Sequence, residues 1–225
     1  MKAESEKYAE WDQLFLEYFC NKKYKLRRDL TVLKKLGILN QRKELRILEL
    51  FCGKGECQEL LIDNGYINAF GSDLSETLVR QARKDCRIKV CICDSTNIPY
   101  KSNVFDLIFI NEGLHHLKDY NAIGLCFNEI KRVLKEAGLF VFYEPENTIF
   151  RKLASVIIFS PLSNISQHVR LLREILIKEM KEYSYWLRNS PQILRLLENI
   201  GFSIERYDKT PIHMAVISRL ADKSI

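Results

Sequence analysis

Apolar positions along this chain fall into short runs and helical stripes that alternate in regular order. Segments 45–50, 67–72, 88–93, 105–110 and 139–143 read as strands, and two more follow at 202–207 and 214–220. Phe105–Ile110 is apolar except for Asp106, as suits a strand covered on both faces. Helical spacing falls between the first five strands at 55–64, 75–84 and 120–136, with only a short turn near 96–98. This alternation predicts an α/β sheet, mostly parallel, with helices on both faces. Lys135-Glu136-Ala137-Gly138 is expected to end a helix, with Gly138 as its left-handed C-cap. Ser190-Pro191 has the cap-then-proline pattern of a helix start, and Gly201 that of its stop.

Two regions lie outside the alternation. Ahead of the first strand, Tyr8, Trp11, Phe15 and Tyr18 share one helical face, widened by Leu14 and Phe19. A second helix is expected over Leu26–Leu36, stopped by Gly37. After the fifth strand, residues 146–189 interrupt the rhythm. They hold the nearly all-apolar run Leu153–Leu162, a charged amphipathic helix over 167–182, and then Tyr183, Tyr185 and Trp186. The apolar run either fills core or roofs a crevice at the carboxyl edge of the sheet.

At 225 residues the chain suits a single domain, 47% hydrophobic and 28% charged. Met1–Glu10 is polar, and no apolar stretch approaches the ~20 residues that span a bilayer. The seven cysteines form no CxxC pair, which points to reduced thiols and a cytoplasmic protein, with no metal site expected. The net charge of +6 is uneven, because residues 21–46 hold ten Lys/Arg against Asp29 and Glu44. Such a cluster reads as a solvated helix and loop, or as a surface for nucleic acid or anionic membrane.

The most informative stretch is Ile47-Leu48-Glu49-Leu50-Phe51-Cys52-Gly53-Lys54-Gly55. A strand ends in a Gly-x-Gly turn that opens a helix, the shape of a nucleotide site. Gly53 and Gly55 let a ligand approach the main chain. Further along, Asp73 closes the second strand, Asp94-Ser95 the third and Asn111-Glu112 the fourth.

Taken together these motifs resemble the class I S-adenosylmethionine (SAM) dependent methyltransferases of Rossmann-like fold, over about residues 45–145. Phe127–Gly138 resembles the helix and turn before that family's fifth strand. The resemblance implies a seven-stranded sheet of order 3-2-1-4-5-7-6 with the last strand antiparallel, and SAM as cofactor. It divides the single domain into N-terminal helices (1–38), a SAM-binding core (45–145), a helical lid insertion (146–189) and a C-terminal helix with a strand pair (190–225). It also implies roles: Glu49 and the turn through Phe51, Gly53 and Gly55 for the amino-acid end, Asp73 for the ribose hydroxyls, and Leu74 for the adenine face. Asp94 and Ser95 fall where the adenine amino group is met, and Asn111 sits at the ligand-facing end of strand four.

Phe51 departs from the family, which usually has glycine there. Leu50-Phe51-Cys52-Gly53 resembles the loop of certain RNA-modifying methyltransferases. Asn111-Glu112-Gly113-Leu114-His115-His116-Leu117 instead resembles the segment after strand four in small-molecule methyltransferases, and it weighs more. Methyl transfer needs a base only when the acceptor is protonated and weakly acidic. His115 and His116 are candidates for that base, His115 first, and Glu144 for contacting substrate. The expected activity is methylation of a small, apolar or lipid-like acceptor on O, N or C. RNA methylation, suggested by the basic segment, and non-catalytic SAM binding are the alternatives. Tyr8/Trp11/Phe15 and Leu153–Leu162 are expected to meet above the acceptor end as an apolar lid.

Overall fold

The computed structural model describes the backbone of residues 2–221 and the side chains of residues 10–221. Seven strands, β1 (Ile47–Leu50), β2 (Ala69–Asp73), β3 (Lys89–Ile92), β4 (Phe105–Asn111), β5 (Leu134–Pro145), β6 (Phe202–Lys209) and β7 (His213–Leu220), form one sheet. Its order is β3-β2-β1-β4-β5-β7-β6, as the sequence predicts, and β7 alone runs against the others. Alternate side chains of each central strand enter opposite layers. Leu48, Ile108 and Phe140 meet α5 (Tyr120–Val133) and α7 (Gln167–Ile200) on one face. Ile47, Phe109 and Val141 meet α2 (Lys22–Lys35) and α3 (Glu56–Asp63) on the other. Burial on both faces explains why β4 reads as a nearly unbroken apolar run. A shorter helix, α4 (Glu76–Ala82), follows β2 behind the Ser75 cap.

Three local expectations are corrected. The helix expected to reach residue 136 ends at Val133, and β5 begins at once with a bulge opposite Phe105/Leu107. Here Ala137, with φ 54°, is the left-handed residue, not Gly138. Gly138 is required for space, since a Cβ there would lie 2.7 Å from Leu134 Cγ and 2.8 Å from the Lys135 carbonyl. No helix starts at Ser190-Pro191, because α7 runs unbroken through Pro191. The proline leaves the Leu187 carbonyl without its helical donor, and Asn147 Nδ2 donates to that oxygen at 3.2 Å. The division drawn at 189/190 therefore falls inside one helix.

The third correction concerns the lid. α1 (Lys2–Tyr18) lies over the β1 turn and along α7, where Tyr18 stacks on His168 at 4.2 Å and Glu10 pairs with Lys178 at 2.5 Å. The Tyr8 side chain lies outside the described residues. The apolar run forms α6 (Ile149–Ile158) and a short 3-10 turn (Pro161–Ile165), and α6 buries none of its side chains. Its Leu153, Val156 and Ile157, with Leu162 beyond, are 57–69% exposed, so the run faces outward and does not close with Trp11 and Phe15.

The charge of the basic 21–46 segment is partly paired off, with Lys22 on Glu59 (2.7 Å), Lys25 on Asp29, Arg28 on Glu112 and Lys43 over the Tyr66 ring (3.7 Å). All seven cysteines are free, as expected. Among the described residues no helix is long and apolar enough to cross a membrane.

Candidate active site

The turn after β1 brings together residues from distant parts of the chain. Gly53 (φ 55°) and Gly55 (φ 79°) take left-handed conformations that glycine adopts freely. Phe51 takes one too, at φ 58°, which costs an ordinary residue about 1–2 kcal/mol. Its ring offsets that cost by packing on Gly113 in the turn after β4, where a Cβ would fall 2.4 Å from Phe51 Cγ. Cys52 similarly fills the space over Gly71, whose Cβ would stand 2.9 Å from its sulfur. The Phe51-Cys52 pair thus has a packing role that locks the β1 and β4 turns together. Above the turn, Phe15 Cζ lies 3.6 Å from the position a Gly53 Cβ would take.

Buried acids cluster at the carboxyl ends of β1 and β4. Glu49 accepts from Gln58 Nε2 at 2.5 Å, and buried Asp29 of α2 accepts from Asn111 Nδ2 at 3.1 Å while pairing with Lys25. Burial, with the charge of Asp29 added, pushes Glu49 well above the usual carboxylate range. Gln58 Oε1 and Asn111 Oδ1 are buried acceptors without a partner among the described residues. Two carboxylates and two orphaned carbonyl oxygens around one lysine form a donor-poor cradle suited to an ammonium group.

Glu49→Gln should therefore raise the melting temperature of the ligand-free protein at neutral pH. The sign follows from the raised pKa: ionising Glu49 costs the fold, so its contribution is full in acid and is lost as pH rises through the folded pKa. Melting curves across this range should lose that slope in the variant, and its affinity for an ammonium ligand should fall. An unchanged slope would show that Glu49 does not carry the buried charge.

Asp73 stands at the end of β2, its Oδ2 accepting from Gly53 N and its Oδ1 from Ser75 N, both at 2.8 Å. Burial pushes its pKa up against the pull of these N–H groups. Ser75 Oγ donates to Asp12 of α1 at 2.6 Å, and Leu74 beside it is half exposed. Asp94, exposed just past β3, accepts from Thr96 N and Oγ1 at 2.8 Å, while Ser95 is buried.

A second group lies just beyond β4. Glu144 is fully buried, and its Oε1 accepts from Gly113 N and Leu114 N at 2.7 Å. Its Oε2 lies 2.7 Å from His115 Nδ1. Burial alone would lower the His115 pKa, but the charge and hydrogen bond of Glu144, aided by Glu179, outweigh it and hold the pKa above the ordinary imidazole value. Glu179 of α7 lies 4.0 Å from His115 Nε2 and 3.4 Å from His116 Nδ1, and accepts from Trp11 Nε1. Burial keeps His116 below the ordinary value. His115, His116 and Glu179 also offer ligand atoms within 4.8 Å of one another, donor types that suit zinc or iron. Tyr183, Trp11 and Phe51 surround the two imidazoles.

The structure thus gathers Glu49, Phe51, Gly53, Asp73 and Asn111 at one edge, with His115, His116 and Glu144 beyond them. Sequence reasoning missed Asp29, Gln58, Asp12 and Glu179. Asp29 and Glu179 carried a usable signal: each is an acid on a buried helical stripe, beside Val32 and Leu33 in α2 and in step with Leu171 and Ile175 in α7.

Residues 48–142 match the sequence family described as Methyltransferase domain. A malonyl-[acyl-carrier protein] O-methyltransferase of Legionella pneumophila is 30% identical over 113 residues, 48% of this chain but only 39% of that protein. A demethylmenaquinone methyltransferase of Staphylococcus aureus is 24% identical over 189 residues, 76% of this chain and 72% of the other. An S-adenosylmethionine dependent methyltransferase from Mesorhizobium loti has the same fold, with TM-score 0.59 at 21% identity, covering 83% of this chain and 96% of that one. The matched segment is similar to a methyltransferase domain, and the sheet has the class I, Rossmann-like fold seen in the Mesorhizobium loti protein.

Proposed function

We propose that this protein transfers the methyl group of SAM to an apolar, lipid-like small-molecule acceptor, with His115 as the base. The buried His115–Glu144 pair beyond the end of β4 carries this reading. When bound, SAM supplies an electrophilic methyl on a sulfonium. Glu49, with the orphaned oxygens of Gln58 and Asn111, would take its ammonium group, and the backbone through Gly53 and Gly55 would hold the same end. Asp73 retains lone pairs for the ribose hydroxyls while fixing the turn through Gly53 N. Leu74, Asp94 and Ser95 serve the adenine.

Nδ1–H of His115 donates to Glu144, which sets the tautomer and leaves Nε2 to accept a proton from the acceptor. Glu144 then stabilises the imidazolium, so it positions the base and does not touch substrate. His116, with Trp11, Phe15, Phe51 and Tyr183, supplies a largely aromatic wall, which favours an apolar acceptor and excludes water. Demethylmenaquinone, the acceptor named for the Staphylococcus aureus relative, is compatible with such a wall. Seating a ligand over Gly53 requires Phe15 and the Asp12–Ser75 bond of α1 to yield, which gives α1 the part of a lid.

Incubating the protein with methyl-labelled SAM and a fractionated cell extract tests the reading. Label is expected in the organic-soluble fraction. Label confined to RNA would overturn the acceptor class, and SAM binding without any turnover would overturn the activity.

A further inference from the structure

α6 is amphipathic and mounted with its apolar side outward. Ile149, Phe150, Leu153, Val156 and Ile157 share one face by their spacing, and each is 57–69% exposed. Phe159, Leu162 and Ile165 continue that surface through the 3-10 turn, Ile165 at 83% exposure. So large a contiguous apolar patch is uncommon on a protein that meets only water.

The segment is held in this orientation by its polar side. Thr148 caps α6 by accepting from Arg151 N at 3.1 Å and donates to the Pro211 carbonyl. Arg151 donates from Nε to the Glu146 carbonyl at 3.0 Å, and from its other nitrogens to Tyr183 Oη and the Ile212 carbonyl. Arg173 Nη1 ties the 3-10 turn through Ser163 Oγ at 2.9 Å. Rolling the apolar face inward would break these bonds and bury Arg151 against apolar core.

Charge selects the occupant. No Asp or Glu occurs between Glu146 and Glu174, whereas Arg151, Lys152, Arg170 and Arg173 lie in that interval, with Lys152 and Arg170 exposed. An acid-free, cation-flanked amphipathic segment matches a surface that is apolar beneath and negative at its rim. A protein groove would need no such exclusion of acids.

We propose that α6 and the following 3-10 turn dock the protein on an anionic phospholipid bilayer, the apolar face entering the headgroup–acyl boundary and Lys152 and Arg170 meeting lipid phosphates. The bilayer would then lie at the carboxyl edge of the sheet, because α6 follows directly on the end of β5. This docking is independent of the methyl acceptor, since it needs neither SAM nor turnover.

Co-sedimentation of the full chain with vesicles tests it. Binding is expected to phosphatidylcholine vesicles doped with phosphatidylglycerol, weaker to phosphatidylcholine alone, and diminished by salt. The double variant Phe150→Ser/Ile157→Ser should raise the half-saturating lipid concentration by about tenfold or more. Lys152→Glu/Arg170→Glu should weaken binding to the anionic vesicles by about tenfold and leave the neutral ones unaffected. Since α6 buries none of its side chains and Arg170, in the first turn of α7, is exposed, both variants should keep the parent melting temperature and SAM affinity. Absence of vesicle binding by the parent chain, or binding that both variants retain, overturns the proposal. So does light scattering that shows a dimer lost in Phe150→Ser/Ile157→Ser without any vesicle binding, because the face would then belong to a second copy.

Discussion

Replacing His115 by alanine should lower turnover by about a hundredfold to ten-thousandfold, the usual contribution of a positioned base, while SAM affinity barely changes. The split is expected because His115 bonds Glu144 and faces Glu179 beyond the β4 turn, where the proposal seats the acceptor, and not at the β1 turn. Its protonation also fixes the pH profile. The groups around it are Glu144 from β5, Glu179 and Tyr183 from α7, His116 beside it and Arg151 from α6; of these, Glu144 and Glu179 together hold its pKa above that of an ordinary imidazole. In the proposed mechanism the neutral ring is the active form, so kcat/KM should fall as pH drops through that raised pKa. In His115→Ala this acid limb should vanish, and the deficit should shrink as hydroxide takes over. Alanine leaves a buried oxygen of Glu144 without its partner, so His115→Gln, which retains a donor, separates chemistry from folding. A glutamine variant with full turnover would remove His115 from the reaction.

Asp73→Ala should weaken SAM binding about ten- to hundredfold, corresponding to the ~1–3 kcal/mol lost when hydroxyl partners go unsatisfied. The upper part of that range is expected, because the same carboxylate holds Gly53 N and Ser75 N and so shapes the turn itself. Calorimetry on the variant, with melting curves to confirm the fold, reads the effect. Unchanged affinity in a folded variant would place the ribose elsewhere.

Most of the scaffold was legible because it rests on local periodicity. Segments 105–110 and 139–143 are apolar on both faces and could only be central strands, and the turn residues at 53, 55 and 201 mark real left-handed positions. Errors arose where a distant partner overrides a local signal. Ser190-Pro191 reads as a helix start until Asn147 satisfies the carbonyl that Pro191 abandons. The 153–162 run reads as core or roof until Arg151, held by the Glu146 and Ile212 carbonyls, turns α6 over.

The same reason limited the site. Glu49, Gly53, Asp73 and Asn111 stand at strand ends that the pattern locates, and are legible one by one. Glu144 also ends a strand, but its role depends on two backbone N–H groups thirty or so residues away in sequence, which no local spacing reveals. Phe51 was visible as a departure; that it tolerates a left-handed backbone follows only from the space Gly113 leaves for its ring.

The structure of the protein with S-adenosylhomocysteine bound tests the account most directly. Both ribose hydroxyls should bond Asp73, the amino group should lie among Glu49, Gln58 and Asn111, and Phe15 should have left its place over Gly53. A ligand seated away from the β1 turn, or bound there with Asp73 still engaged only by Gly53 and Ser75, would contradict it.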